Sequence, residues 1–395
     1  MSVLEAVRPL HGKLTAIRRD LHAHPELAFK EHRTAELVAR HLQQLGIETH
    51  CGIGGTGVIG VVRGGRGLRA IGLRADMDAL PITERNTFAH ASTVRGCMHA
   101  CGHDGHTTML LGAAEALAAR RDFDGTVYLI FQPAEEGEGG AAAMIADGLF
   151  ERFPMEAVFG MHNWPGMEAG SFAVHSGPVM ASADRFDVCF TGVGAHAAMP
   201  HLGTDPLLAG AAFVQAVQAL VSRRVDPIDA AVVSVTRFHA GEAYNAIPDR
   251  AELCGTVRTF SAEVRDMLEQ GLRQVAEGVA ASHGVQFDFG YRRGYPPTHN
   301  TAPEAACCAE AARAVAGAGR VAVDGRPSMG AEDFAYYLEH KPGAYVWIGN
   351  GPGTGGCTLH NPNYDFNDEI LSVGAAYWCE LVRTLLAPVE QGRGR

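Results

Sequence analysis

The sequence predicts an α/β protein: a mixed, mostly parallel sheet with helices on both faces, plus an inserted ferredoxin-like α+β domain. Three observations carry this prediction. From Val58 to Ile130 the short apolar runs VIGVVRG and RAIGLRA are bounded by glycines, and they are followed by the helical TTMLLGAAEALAAR and a third apolar run, TVYLIFQ. Helices placed between apolar strands imply a largely parallel sheet covered on both sides. Polar residues then fall at strand C-terminal ends, with Asp76 after one strand, Glu135 and Glu136 after the next, and His162 closing another. Open α/β sheets gather their ligands at such ends. Finally, from about Ala183 to Gly294 the order reads β-α-β-β-α-β, the ferredoxin-like split unit.

The elements follow in order. An amphipathic first helix occupies the N-terminus, whose apolar positions are interrupted by charges every few residues, leaving no apolar core of signal-peptide length. After the sheet strands above come the helical AAAMIADGLF and the strand AVFGMHN. The split unit comprises RFDVCFTG, PLLAGAAFVQAVQALVSRR, AAVVSVTRFHA, RAELCGTVRTF, SAEVRDMLEQGLRQVAEGVAAS and VQFDFGYR. Beyond Tyr295-Pro296-Pro297 the chain returns to a helix (EAACCAEAARAVAGA), a strand (GAYVWIGN), a glycine-rich loop (GPGTGGCTLHNPN) and a last helix (DEILSVGAAYWCELVRTLLA). The expected division is a first domain of residues 1–182 and 296–395, and an inserted domain of residues 183–295.

At 395 residues and 47% hydrophobic content the chain can bury two sizeable cores. Asp and Glu outnumber Lys and Arg by 44 to 33, a net charge of -11, which argues against nucleic acid and for a small-molecule substrate. Nothing approaches the roughly 20 apolar residues of a membrane span. The nine cysteines show no regular spacing, and Cys307 and Cys308 are adjacent, so a reducing compartment, the cytosol, is expected.

The densest chemistry lies in His99-Ala100-Cys101-Gly102-His103-Asp104-Gly105-His106, which runs directly into a helix. Cys101 could be a buried small hydrophobe, a nucleophile or a ligand. Its neighbour His103, with further His and acids at other strand ends, favours coordination over a thiol-imidazole pair. His99 and His106 are expected behind the ligands or capping the helix, Asp104 could orient a His ligand, and Cys97 reads as structural. Adjacent acids on an extended stretch point to opposite sides, so Glu135 and Glu136 should divide the work: one binds a cation, the other stands near the bound water as base. Taken alone, a solvated Glu pair at a helix N-terminus is the commoner arrangement. His162 and His360 are each weak signals singly, and Asp76 could hold an imidazole or merely form a turn.

Together these residues resemble the M20 metallopeptidase and amidohydrolase family, in the branch of hippurate hydrolases, N-acyl-amino-acid amidohydrolases and auxin-conjugate hydrolases. The carriers are LRADMDALPI at 73–82, HACGHDGHTTMLLGAA at 99–114, FQPAEEGEGGA at 131–141, MHNWPG at 161–166, GAHAAMPHLGTDP at 194–206, NAIPDRAELCGTVRTF at 245–260, MGAEDFAYY at 329–337 and LHNPNYDFND at 359–368. The resemblance implies a two-metal site bridged by Cys101, with His103, Glu136, His162 and His360 as the other ligands, Glu135 as general base and Asp76 supporting the site. The family at large carries a His where this chain has Arg74, so His103 takes over as ligand. A soft thiolate favours Zn, Ni or Co over Mg and leaves Mn open. In the inserted domain, which the resemblance makes a lid and dimerisation module, His196 is implied as an oxyanion holder, and Asn245 and Arg258 as substrate-binding residues. His201, Glu332 and Asp333 lie in family motifs without an assigned role. The implied activity is metal-dependent hydrolysis of N-acyl or N-aroyl amino acids to a carboxylic acid and a free amino acid, by a cytoplasmic homodimer or homotetramer. The alternatives are a dipeptidase or an N-acetyl-diaminopimelate-type deacetylase of the same fold, a metal-binding protein without turnover, and a Cys101 thiol hydrolase.

Overall fold

The computed structural model describes residues 2–323, 325–352 and 357–388, so residues 353–356 of the glycine-rich loop lie outside the described residues. The chain divides into two compact units, one of Met1–Val179, His299–Arg326 and Asp333–Arg395, the other of Met180–Thr298 and Pro327–Glu332.

The first unit is built on an eight-stranded sheet. Its spatial order is Glu48–Ile53, Gly57–Gly64, Gly125–Gln132, Ala70–Asp76, Ala157–Pro165, Gly343–Gly351, Phe172–Val174 and Val321–Val323. The four strands from Gly125–Gln132 to Gly343–Gly351 pair in parallel. Antiparallel pairing enters on either side of them. The strand Ala70–Asp76 is buried at every position, as a parallel strand covered on both faces must be. The edge strand Glu48–Ile53 went unread in the sequence because it is largely exposed and carries no apolar run.

Helix His103–Ala119 is buried from His103 through Ala114, an all-round apolar helix in the centre of the unit. It packs against the C-terminal helix Leu371–Leu385, and Gly374 makes that approach possible: a Cβ there would lie 2.0 Å from the Met109 sulfur. The joint core includes Leu14, Met109, Leu110, Phe159, Val346 and Trp378.

The second unit follows the expected β-α-β-β-α-β order. Its antiparallel sheet runs Ala231–Ala240, Arg250–Thr259, Asp184–Thr191, Gln286–Arg293. Alternation along Asp184–Thr191 turns Phe186, Val188 and Phe190 inward, where they meet Phe213, Leu268 and Leu272 from the helices. The first expected helix is divided in two, Pro206–Ala216 and Gln218–Arg224. Asp205 caps the start, its side chain accepting from the Leu207 and Leu208 amides. No helix among the described residues is long and apolar enough to cross a membrane.

Asp184 is the polar anchor of this unit. Fully buried, it accepts from Arg265 Nε at 2.8 Å and Nη2 at 2.6 Å, from the Tyr291 hydroxyl at 2.8 Å and from the Gly294 amide at 3.1 Å. Replacing one member of a buried ion pair strands the other charge. Asp184→Ala is therefore expected to lower stability by about 3–5 kcal/mol, read from the shift of the urea unfolding midpoint at unchanged slope.

Candidate metal centre

The chain is turned into position at the first helix by Gly102. Its left-handed φ of 97° ends the extended segment, and its carbonyl accepts from the amides of Gly105 and His106 to begin helix His103–Ala119. A side chain would not fit, since a Cβ would fall 2.2 Å from Asn163 Oδ1 and 2.8 Å from the Tyr364 hydroxyl. Cys101 and His103 are thereby buried on either side of one glycine.

From there the residues named by the sequence converge. Cys101 Sγ lies 3.4 Å from His162 Nε2. Cys101, His103 and His162 present ligand atoms all within 4.8 Å of one another, as do Cys101, Glu136 and His360. Five residues thus form two triads that share the thiol.

The imidazoles are set for coordination. His103 Nδ1 donates to the Asp78 carbonyl at 2.9 Å and lies 3.2 Å from Asp78 Oδ1, while its Nε2, fully buried, has no hydrogen-bond partner among the described residues. His162 Nδ1 likewise bonds the Asn163 carbonyl at 2.7 Å, leaving Nε2 toward Cys101. Fixing the proton on one ring nitrogen directs the lone pair of the other into the site. Glu136 Oε1 sits 3.2 Å from His360 Nε2 but makes no hydrogen bond there. His360, at φ 64° in the later part of the glycine-rich loop, is tied by its amide to the Ala100 carbonyl at 2.8 Å.

Electrostatics call for a cation at this point. Burial, and after it the charges of Glu136, Glu135 and Asp76, push the Cys101 thiol well above its ordinary range. Burial also opposes a charge on His103, yet Asp76 and Asp78 override it and push its pKa up to about 10. His162, desolvated and beside His106, is held well below the usual imidazole range. A thiol crowded by carboxylates is poorly prepared to act as a nucleophile, whereas a divalent ion would stabilise the thiolate and the carboxylates together. The unpartnered His103 nitrogen and this donor set of S, N and O atoms fit such an ion.

Glu135 and Glu136 do not lie on an extended stretch. They occupy a turn after strand Gly125–Gln132, entered through Ala134 at φ 53°, and both present oxygens to His103 within 4.8 Å rather than pointing to opposite sides. The buried Glu31 maintains this backbone, accepting from the Ala134 amide at 2.9 Å. Glu135 is buried, with Oε1 3.4 Å from the Asp333 amide, and Glu136 is half-buried, its amide donating to Asp78 Oδ2 at 2.9 Å.

Asp76 holds an imidazole, that of His106, at 2.6 Å, and the ring's other nitrogen is taken by Asn163. Burial opposes ionisation of Asp76, but His103, Arg74 and His106 hold it well below the usual carboxylate range. Arg74 is wholly interior: it donates to Asp76 at 2.7 Å, to Gln132 at 2.8 Å and to Asp333 at 2.9 Å. Asp104 bonds His22 at 2.8 Å instead of orienting a ligand. The carboxylate that orients His103 is Asp78, which sequence reasoning missed although it follows Asp76 at the alternate position. Glu31, far away in sequence and without a local motif, gave no signal.

In the second unit His196 and Asn245 are neighbours. His196 pairs with Ala246 in a two-strand ribbon, and the Ala197 amide donates to the Asn245 carbonyl at 3.0 Å. Arg258 lies at the other end of strand Arg250–Thr259, half-buried and opposite Val232. Arg250 to Arg258 is a rise of roughly 26 Å at about 3.3 Å per residue.

The model of peptidase family M20/M25/M40 matches residues 72–384. A hippurate hydrolase of Campylobacter jejuni is 40% identical over 96% of this chain and 98% of its own length. An N-acetylcysteine deacetylase of Bacillus subtilis is 41% identical over 98% and 100%. Among solved structures, a Bacillus subtilis dinuclear metal-binding peptidase from the M20 family superposes with a TM-score of 0.85 at 39% identity, covering 97% of this chain and 100% of that one. Motifs spread along the whole chain, the strand-end cluster and these likenesses agree: the chain belongs to peptidase family M20/M25/M40.

Proposed function

We propose that this protein is an amidohydrolase of N-acyl or N-aroyl amino acids, with a pair of divalent cations held by Cys101, His103, Glu136, His162 and His360. The observation that carries the reading is the sharing of one thiol by two ligand triads beside a separate buried carboxylate, Glu135. When bound, the metals lower the pKa of water from about 15.7 toward about 7 and polarise the scissile carbonyl.

The chain's own groups do the rest. Glu135, buried and outside both Cys101 triads, takes the proton from the attacking water and delivers it to the leaving nitrogen. Asp78 keeps the proton of His103 on Nδ1, and Asp76 braces the first helical turn through His106. His196 holds the developing oxyanion, Asn245 binds the substrate, and the guanidinium of Arg258 suits its free carboxylate. The family likeness supports a homodimer or a homotetramer through the second unit. Nine free cysteines support the cytosol as its location. The softness of the thiolate favours Zn, Ni or Co over Mg, and the nitrogen and oxygen ligands leave Mn open.

The competing thiol-hydrolase reading is opposed by the carboxylates around Cys101. A chelator should abolish hydrolysis of N-benzoylglycine and added divalent cation restore it; activity indifferent to chelation would sink the metal reading. Glu135→Gln should retain metal, measured by elemental analysis, yet lose nearly all turnover, and a variant keeping half its activity removes Glu135 from the mechanism. Asp78→Ala is expected to weaken metal retention by about 10–100-fold in a chelator competition.

A further inference from the structure

We propose that the stacked indoles of Trp164 and Trp347 form the wall that receives the acyl group and select a flat aromatic acyl group over acetyl. The proposal rests on the amidohydrolase reading above and names its substrate class.

Trp164 follows His162 by two residues on strand Ala157–Pro165, so both side chains leave the same face, and their ring centroids are 6.2 Å apart. Trp347, on the neighbouring strand Gly343–Gly351, is the register partner of His162. The two indoles stack at 3.9 Å with planes 12° apart. His175 meets Trp347 edge-on at 4.6 Å, which fixes the inner ring. Trp347 is buried while Trp164 is only half-buried, so the outer indole keeps accessible surface beside a candidate metal ligand.

Neither indole carries a cation over its ring among the described residues. A neutral, flat wall of this kind suits an aromatic acyl group; the amino-acid half, with its carboxylate, needs a guanidinium instead.

The test uses the metal-loaded full chain and three substrates: N-benzoylglycine, N-acetylglycine and N-acetylphenylalanine. The wild type should favour benzoyl over acetyl on glycine by about tenfold or more in kcat/KM, about 1.4 kcal/mol. Trp164→Leu, which keeps apolar bulk without the π face, should lower the benzoyl value by about tenfold and leave both acetyl substrates nearly unchanged. Equal losses on all three substrates, or a loss confined to N-acetylphenylalanine, would overturn the assignment. A wild type that hydrolyses only the acetyl substrates overturns it while leaving the amidohydrolase reading intact; one that hydrolyses none overturns that reading as well.

Discussion

Excess negative charge, gathered out of water at the ends of parallel strands, is the constraint around which the first unit is organised. Asp76, Asp78, Glu135, Glu136 and the Cys101 thiol all reach one small region, and most of them are buried. Isolated carboxylates cannot be desolvated at such density without compensation. The protein supplies part of it through Arg74, whose guanidinium is spread over Asp76, Gln132 and Asp333, and through the histidines behind the site. The remainder matches a divalent ion, and the same field that raises the thiol in its absence would bind that ion tightly.

The scaffold explains why the region is so well defined. The contributing residues come from a strand, a helix start, a turn and a loop, and a close contact or a hydrogen bond one step behind the site fixes these segments. Gly102 turns the Cys101 segment into the helix, Glu31 holds the left-handed Ala134 that aims the two glutamates, and the Ala100 carbonyl holds the backbone of His360. Backbone strain at Ala134 is localised beside the chemistry, where such strain is usually maintained by surrounding contacts. The second unit is simpler: a four-stranded sheet with the helices Pro206–Ala216, Gln218–Arg224 and Ala262–His283, anchored by the buried Asp184–Arg265 pair.

How much of this could be read without coordinates differs from residue to residue. Cys101 and His103 were legible because their spacing around a glycine is dense and local. His162 and His360 were weak singly and became meaningful only as members of a set of motifs. Asp78 and Glu31 were missed for different reasons: the first shares a motif with the more conspicuous Asp76, and the second acts through a backbone amide more than a hundred positions away. The extended geometry expected for Glu135 and Glu136 failed because propensity does not reveal a left-handed alanine that a distant carboxylate stabilises.

By itself the sequence determined the element order, the β-α-β-β-α-β composition of the second unit, the strand-end placement of the polar residues and the types of ligand available, because periodicity and residue chemistry are local properties. Only the tertiary structure decided that Arg74 is an interior counter-charge, that His106 braces Asp76, that both glutamates turn toward His103, and that two tryptophans stack beside His162. Those facts depend on which distant segments approach within a few ångströms, and that is set by how the whole chain packs and where each buried charge finds its partner.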